Sequence, residues 1–135
     1  MTKSEYWRSI VAQGWTMMFA VFLANIVMDL VRITVMNNAT QWADHLGMQG
    51  LKFIHVVMAI SVLIPMLIRT FSAHWFRYAV VGVTALMTLF VGAHEVSHLI
   101  AADKPFGVLH ALDLVHHVLG IWVIVAAVMW VRQTD

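Results

Sequence analysis

The residues of this chain whose side chains are best suited to metal binding or proton transfer lie in one segment, residues 93–120. The segment reads AHEVSHLIAADKPFGVLHALDLVHHVLG and contains five of the eight histidines of the chain, together with Glu95 and Asp113. Imidazoles and carboxylates bind zinc, iron and manganese, and they also transfer protons. The surrounding residues are strongly apolar, so the position of these groups depends on the helices that carry them.

Composition indicates an integral membrane protein. Of the 135 residues, 61% are hydrophobic and 11% are charged, which leaves too little polar surface for a soluble domain. Four apolar runs cover roughly residues 13–36, 51–68, 75–102 and 106–131, and each is close to the ~20 residues that cross a bilayer. Backbone polar groups in lipid must be satisfied within the segment, so the runs are expected to be helices. The sequence predicts an all-α, four-helix transmembrane bundle that forms a single domain.

The positive charges predict the orientation of this bundle. Four spans place both termini on one side, with the link at residues 69–77, and residues 37–50 form a loop on the other side. The terminal side has the larger set of basic residues, so both termini are predicted to be cytoplasmic and the membrane to be the inner membrane. Its basic residues are Lys3, Arg8, Arg69, Arg77 and Arg132, against Arg32, Lys52 and Lys104 opposite. An aromatic belt is predicted from Trp7, Trp15, Trp75, Trp122 and Trp130.

Two functional classes are excluded by residue content. The chain has no cysteine, so it forms no disulfide and no thiolate metal site. It has no basic cluster with interleaved aromatic residues, which excludes nucleic acid as a partner.

The ionisable residues of the four spans are predicted to share one layer of the membrane. Asp29 lies late in the first span, His55 early in the second, His98 late in the third and His110 early in the fourth. Because alternate helices run in opposite directions, these positions have similar depth. Charges in hydrocarbon cost at least ~2.5–3.5 kcal/mol each, so the side chains are expected to face the interior. The other half of the membrane has few polar side chains, which favours a closed site over a pore.

A non-haem metal centre is the first interpretation of this layer. His94 and His98 are one helical turn apart, and so are Asp113 and His117. Alternatively, Glu95–His98 and Asp113–His116 are acid-x-x-His pairs, the spacing found in di-metal four-helix bundles. The predicted ligands are His55, His94, Glu95, His98, Asp113, His116 and His117, while Asp29 and His110 are predicted to hydrogen-bond to the ligands or to handle protons. Zinc, iron or manganese suits this donor set. Whether His116 or His117 faces the site stays open at this point.

A b-type haem is the second interpretation. His55 with His98 or His117 would provide two axial ligands at matched depth, and Gly92, Gly107 and Gly120 would leave room for the macrocycle. In a third interpretation the ionisable groups only pair with one another, or with Arg32 and Lys52, and lock the bundle.

The motif HEVSH at residues 94–98 also resembles the zinc-protease motif HExxH. Together with LDL at residues 112–114, it resembles the intramembrane metalloproteases. That resemblance implies zinc ligation by His94, His98 and Asp113, with Glu95 as the catalytic residue that activates water. The chain departs from the family pattern in lacking a glycine after Asp113.

The histidine boxes of membrane di-iron hydroxylases are a fainter resemblance. HEVSH fits an HxxxH box, and DLVHH at residues 113–117 fits an HxxHH box with Asp113 in place of the first histidine. The third box of that family is missing from the chain.

The sequence therefore predicts a membrane metalloprotein, with oxidoreductase or hydrolase chemistry on a membrane-soluble substrate such as a lipid or quinone. Two alternatives are a haem electron-transfer subunit and a metal-ion or proton transport protein. The small size of the chain is typical of an accessory subunit in a larger membrane complex, or of a homo-oligomer.

Overall fold

The computed structural model describes the backbone of residues 1–36, 39–101 and 108–133. It describes the side chains of residues 1–28, 30, 31, 52, 54–93, 96 and 111–133. Within these ranges the chain forms four helices: α1 Lys3–Met36, α2 Ala39–Thr70, α3 His74–Ala101 and α4 Val108–Val131. The predicted all-α, four-helix architecture is confirmed.

Helix α1 begins ahead of the first apolar run because its N-terminus is capped. The backbone N–H of Thr2 donates to Glu5 Oε2 at 2.7 Å, and the backbone N–H of Glu5 donates to Thr2 Oγ1 at 3.1 Å. This reciprocal pair is a capping box, which satisfies two of the N–H groups that a helix start leaves without partners. The sequence TKSE encodes this start, so α1 has a polar first turn before its apolar residues.

Helix α2 is longer than the sequence predicted. Residues 37–50 were expected to form a loop, but α2 begins at Ala39. The polar residues of this stretch suggested a loop, but it contains no proline, and alanine, glutamine, leucine and methionine favour helix. The helix also continues through Pro65, whose side chain is buried.

Helix α4 lies between α1 and α3, and α2 packs against α1. Arg77 near the start of α3 contacts Trp130 at the end of α4, and Gly92 late in α3 lies beside His117 early in α4. Residue numbers fall along α3 as they rise along α4, so the two helices are antiparallel. Helices α1 and α4 are antiparallel by the same criterion, because Gly14 lies beside Val123 and Asn25 beside Asp113.

The core lies where α1, α3 and α4 meet, and it contains tryptophans that were expected at the membrane surface. Trp15 is 1% exposed and Trp130 is 0% exposed, so these two belong to the core and not to an aromatic belt. The Trp15 indole N–H donates to Thr84 Oγ1 at 3.0 Å, which gives its polar atom a partner inside the bundle. Trp75, at 71% exposure, does lie on the surface.

Arg77 was counted among the basic residues of the link at residues 69–77, but it lies in α3 and its side chain is 1% exposed. Its guanidinium donates to the carbonyls of Ser72 at 3.0 Å, Trp130 at 3.2 Å and Gln133 at 2.8 Å. It also lies 5.4 Å from the centre of the Trp130 ring. A cation at the C-terminus of a helix satisfies its last carbonyls and complements its dipole. Arg77 therefore ties the start of α3 to the end of α4.

Within the described residues, three helices are long and apolar enough to cross a membrane by length and composition. The segments are Lys3–Met28, His74–Ala93 and Ala111–Val131. Within the described part of α2 the apolar stretch Ile54–Thr70 is shorter. Large apolar side chains such as Leu86, Leu89 and Leu114 are exposed on the outer faces of the helices, as expected for surfaces that contact lipid.

Candidate functional site

Asp113 on α4 is held by a residue of α1. The side-chain amide of Asn25 donates to Asp113 Oδ1 at 2.6 Å, a short bond of the kind formed with a charged acceptor. The other polar atom of that amide, Asn25 Oδ1, is buried and has no hydrogen-bond partner among the described residues. The contact between α1 and α4 thus combines a fixed carboxylate with an unpaired amide oxygen.

His116 lies one turn further along α4 and is 4% exposed. Its ring is hydrogen-bonded to the backbone of Met18 on α1 and lies within electrostatic reach of Asp113. The ring nitrogen Nε2 is buried and lacks a partner in the described part of the chain. Buried polar atoms are paired in most proteins, so an unpaired one requires a reason.

His117 faces the other neighbour of α4. Its Nδ1 lies 2.6 Å from the backbone carbonyl of Asp113, and because a carbonyl can only accept, Nδ1 carries the hydrogen. In the neutral ring this leaves the lone pair on Nε2, which lies next to Gly92 of α3. A Cβ atom at Gly92 would be only 2.8 Å from His117 Nε2, so glycine is what lets the imidazole come this close to α3.

Of His116 and His117, both therefore face a neighbouring helix, and each faces a different one. The two rings are 6.4 Å apart, centre to centre, and are nearly perpendicular. His116 contacts α1 and His117 contacts α3. Because α4 lies between these helices, adjacent residues on it, about 100° apart around the axis, reach both neighbours.

The register of α3 and α4 brings the HEVSH turn to the same level as these residues. Gly92 lies beside His117 and Gly120 beside Thr88. Continuing this antiparallel register by one turn places the backbone of residues 94–98 opposite that of residues 111–115. Asp29 follows Asn25 by one turn of α1, so its backbone lies opposite the first turn of α4. The side chains of Asp29, His94, Glu95, His98 and His110 lie outside the described residues.

His55, which was predicted as a ligand, is an exposed side chain on α2. Among the side chains that the structure describes, no three histidines and carboxylates come close enough to hold a metal ion. Asp113, His116 and His117 are thus neighbours on one helix that point in different directions, and they do not form a complete ligand set by themselves.

Two glycines that were expected to make room for a macrocycle instead permit close packing. The space at Gly92 is filled by His117, and that at Gly120 by the hydroxyl and methyl groups of Thr88. The Thr88 hydroxyl donates to the carbonyl of Thr84 at 2.9 Å. Gly107 lies outside the described residues.

Asn25 was not among the predicted site residues. A neutral amide in an apolar run carries no charge, and sequence alone does not show that it is paired. Its spacing of one turn from Asp29, on the same face of α1, was the available signal.

Comparisons with known protein families, curated proteins and solved structures found no match to this chain. The described geometry establishes a helical protein with helices long and apolar enough for a membrane, and with half-buried polar side chains around the buried His116 at one end of the α1, α3 and α4 core.

Proposed function

We propose that this chain is a multi-pass membrane protein that binds a non-haem metal ion between α3 and α4. The metal would support redox or hydrolytic chemistry on a membrane-soluble substrate such as a lipid or quinone. Both termini would lie on the cytoplasmic side of the inner membrane, with α2 completing a fourth span. The site would lie near the opposite surface, at the level of Asp113 and the HEVSH turn.

The arrangement of His117 carries this proposal. Histidines that bind metals nearly always donate one ring N–H to a carbonyl or carboxylate, which fixes the ring and leaves the other nitrogen free for the metal. His117 has this arrangement, with Nδ1 bonded to the Asp113 carbonyl and Nε2 next to Gly92 on α3. The nitrogen with the lone pair therefore faces the helix that carries HEVSH.

The remaining ligands of the proposed site come from the facing turns. His94 and His98 are one turn apart on α3, and Glu95 lies between them as the proposed base for activating water. Asp113 would add a carboxylate from α4. Imidazole and carboxylate together suit zinc, iron or manganese. The metal would supply a Lewis acid or a redox centre, and the apolar surroundings would limit the access of bulk water.

The test is elemental analysis combined with an absorption spectrum, both on the full chain purified in detergent. We expect stoichiometric zinc, iron or manganese and no Soret band. The variants His117→Ala, His98→Ala and Asp113→Ala should reduce the bound metal to background, because each removes a proposed ligand. His74→Ala is the matched control, because His74 is an exposed histidine at the start of α3.

Three results would contradict this proposal. A Soret band with about one iron per chain would instead identify a haem protein, with His117 and His98 as axial candidates. Equal metal content in His117→Ala and His74→Ala, or no metal in the unmodified chain, would eliminate the site.

A further inference from the structure

Helix α1 has one outer face that is polar at a level where the outer faces of α3 and α4 are apolar. Ser9, Gln13 and Thr16 are exposed, and their spacing of four and three residues places them on one side of the helix. At nearby levels of α3 and α4 the exposed side chains include Leu86 and Ile121. Large apolar side chains suit a surface that contacts lipid, whereas polar side chains with small neighbours are typical of contacts between membrane helices.

The depth of Gln13 follows from a bond between α1 and α3, which run the same way because both are antiparallel to α4. The Trp15 indole N–H donates to Thr84 Oγ1, so these two residues lie at about one level. Thr84 is ten residues beyond the start of α3 at His74, or about 15 Å at 1.5 Å per residue. Gln13 precedes Trp15 by two residues and therefore lies about 12 Å inside the level at which α3 begins. In a bilayer with a hydrocarbon core of ~30 Å, this depth is out of reach of bulk water.

The side-chain amide of Gln13 has bonding capacity left over at this depth. Its Nε2 donates to Ser9 Oγ at 3.1 Å, and the amide makes no other hydrogen bond to the residues that the structure describes. One amide hydrogen and the carbonyl oxygen are thus left for another partner, and polar groups left unpaired in hydrocarbon are costly. A primary amide is self-complementary, because two of them form a reciprocal pair in which each donates once and accepts once.

Two copies of the chain in one membrane have the same orientation, so their α1 helices are parallel. A two-fold axis along the membrane normal then brings a residue of a shared face to the same depth as its own copy. We infer that the chain forms a homodimer through the face of α1 that contains Ser9, Gln13, Thr16 and Ala20, with the two Gln13 amides paired at its centre. Small side chains on this face allow the two backbones to approach. The inference depends on the membrane location in the proposed function, and not on its metal site.

The first experiment measures dimerisation of the full chain in lipid vesicles, by energy transfer between two separately labelled populations. Gln13→Leu removes both bonds of the amide pair, and it should weaken dimerisation by about 10- to 100-fold, the effect of losing two hydrogen bonds between membrane helices. Tyr78→Leu is the matched control, because it replaces an exposed polar residue on α3. It should dimerise as the unmodified chain does.

The second experiment identifies the face that forms the contact. The chain has no cysteine, so a single introduced cysteine reports on one position. Thr16→Cys and Ala20→Cys should each form disulfide-linked dimers on mild oxidation in vesicles. Leu86→Cys should stay monomeric on oxidation, because it lies on the outer face of α3.

Four outcomes would overturn the inference. They are a monomeric unmodified chain in vesicles, equal dimerisation of Gln13→Leu and Tyr78→Leu, and cross-linking of Leu86→Cys in preference to Thr16→Cys. The fourth is cross-linking of Thr16→Cys to a different membrane protein without a homodimer, which would assign the face to that partner.

The dimer and the metal site can fail separately. Gln13→Leu should keep the metal content of the unmodified chain, and a chain that binds no metal can still dimerise. Release of the unmodified chain from vesicles by alkaline carbonate would instead contradict the membrane location on which both depend.

Discussion

The two ends of the helix core use polar residues in opposite ways. At the end that contains Arg77, the guanidinium has three carbonyl partners, and Trp15 and Thr84 are bonded to each other. At the end that contains Asp113, the amide oxygen of Asn25 and Nε2 of His116 are buried without partners in the described residues. The indole N–H of Trp130 is one unpaired atom at the first end, next to the Arg77 cation.

Under the proposed function, this difference separates polar groups that stabilise the bundle from groups that would bind a ligand. Satisfied buried polar groups fix the packing of helices, whereas unsatisfied ones indicate an absent ligand, a strained site or water. Substitutions at the Arg77 end should therefore change stability and leave metal content unchanged. Substitutions at the Asp113 end should change metal binding.

The largest stability effect is expected at Arg77. Arg77→Ala removes the donor that bridges the carbonyls of Ser72, Trp130 and Gln133, and it also leaves a cavity beside Trp130. We expect a loss of about 3 kcal/mol in the free energy of unfolding, measured by denaturant titration in detergent. Arg77→Lys keeps the charge but cannot reach three carbonyls with one ammonium group, so its loss should be intermediate.

The metal content of folded Arg77→Ala provides the comparison between the two ends. It should equal that of the unmodified chain. If Arg77→Ala lost its metal while remaining folded, the two ends of the core would not be functionally separate.

A smaller effect is expected from adding one methyl group at Gly120. Its Cβ would overlap the side chain of Thr88, so Gly120→Ala should lower the free energy of unfolding by about 1–3 kcal/mol. Gly82 is the matched control, because a Cβ there meets nothing within 4 Å. Gly82→Ala should be neutral or stabilising by up to about 1 kcal/mol, since alanine favours helix over glycine.

The second substitution Thr88→Ala tests the cause of the Gly120 effect. It removes the hydroxyl and the methyl group that Gly120→Ala would meet, so the double variant should regain part of the lost stability. Equal stability of Gly120→Ala and Gly82→Ala would show that α3 and α4 are not in close contact at this point.

The smallest effect is expected at Thr84. Thr84→Val keeps the shape of the side chain but removes the acceptor of the Trp15 indole N–H. We expect a loss of about 1 kcal/mol, in the range measured for hydrogen bonds inside membrane proteins. A double-mutant cycle with Trp15→Phe should isolate the coupling between the two residues. A coupling energy of zero would mean that the bond contributes nothing to stability.

The length and apolar character of the helices could be predicted from the sequence because lipid forces each apolar run to satisfy its own backbone. The helix boundaries were harder to predict. The α1 start depends on a capping box at Thr2 and Glu5 that lies outside the apolar run, and α2 extends into residues whose polarity suggested a loop. Hydrophobicity alone does not report either feature.

The candidate site was also only partly predictable from the sequence. The antiparallel order of α1, α3 and α4 follows from short connections, so the shared level of Asp113 and the HEVSH turn could be predicted from residue positions. The partner of each polar side chain could not be predicted from the sequence. The role of Asn25 became visible only through its bond to Asp113. The burial of Arg77 became visible only through its contacts at the end of α4.

The sequence by itself determined that this is an all-α protein with apolar helices, and that its histidines and acids are concentrated toward one end of them. Both properties depend on residue type and on the periodicity of a single helix. Only the tertiary structure decided that α4 lies between α1 and α3, which directs His116 to one neighbour and His117 to the other. It also decided which polar atoms are paired, because pairing requires two side chains from different helices at a distance near 3 Å, and no single segment contains that information.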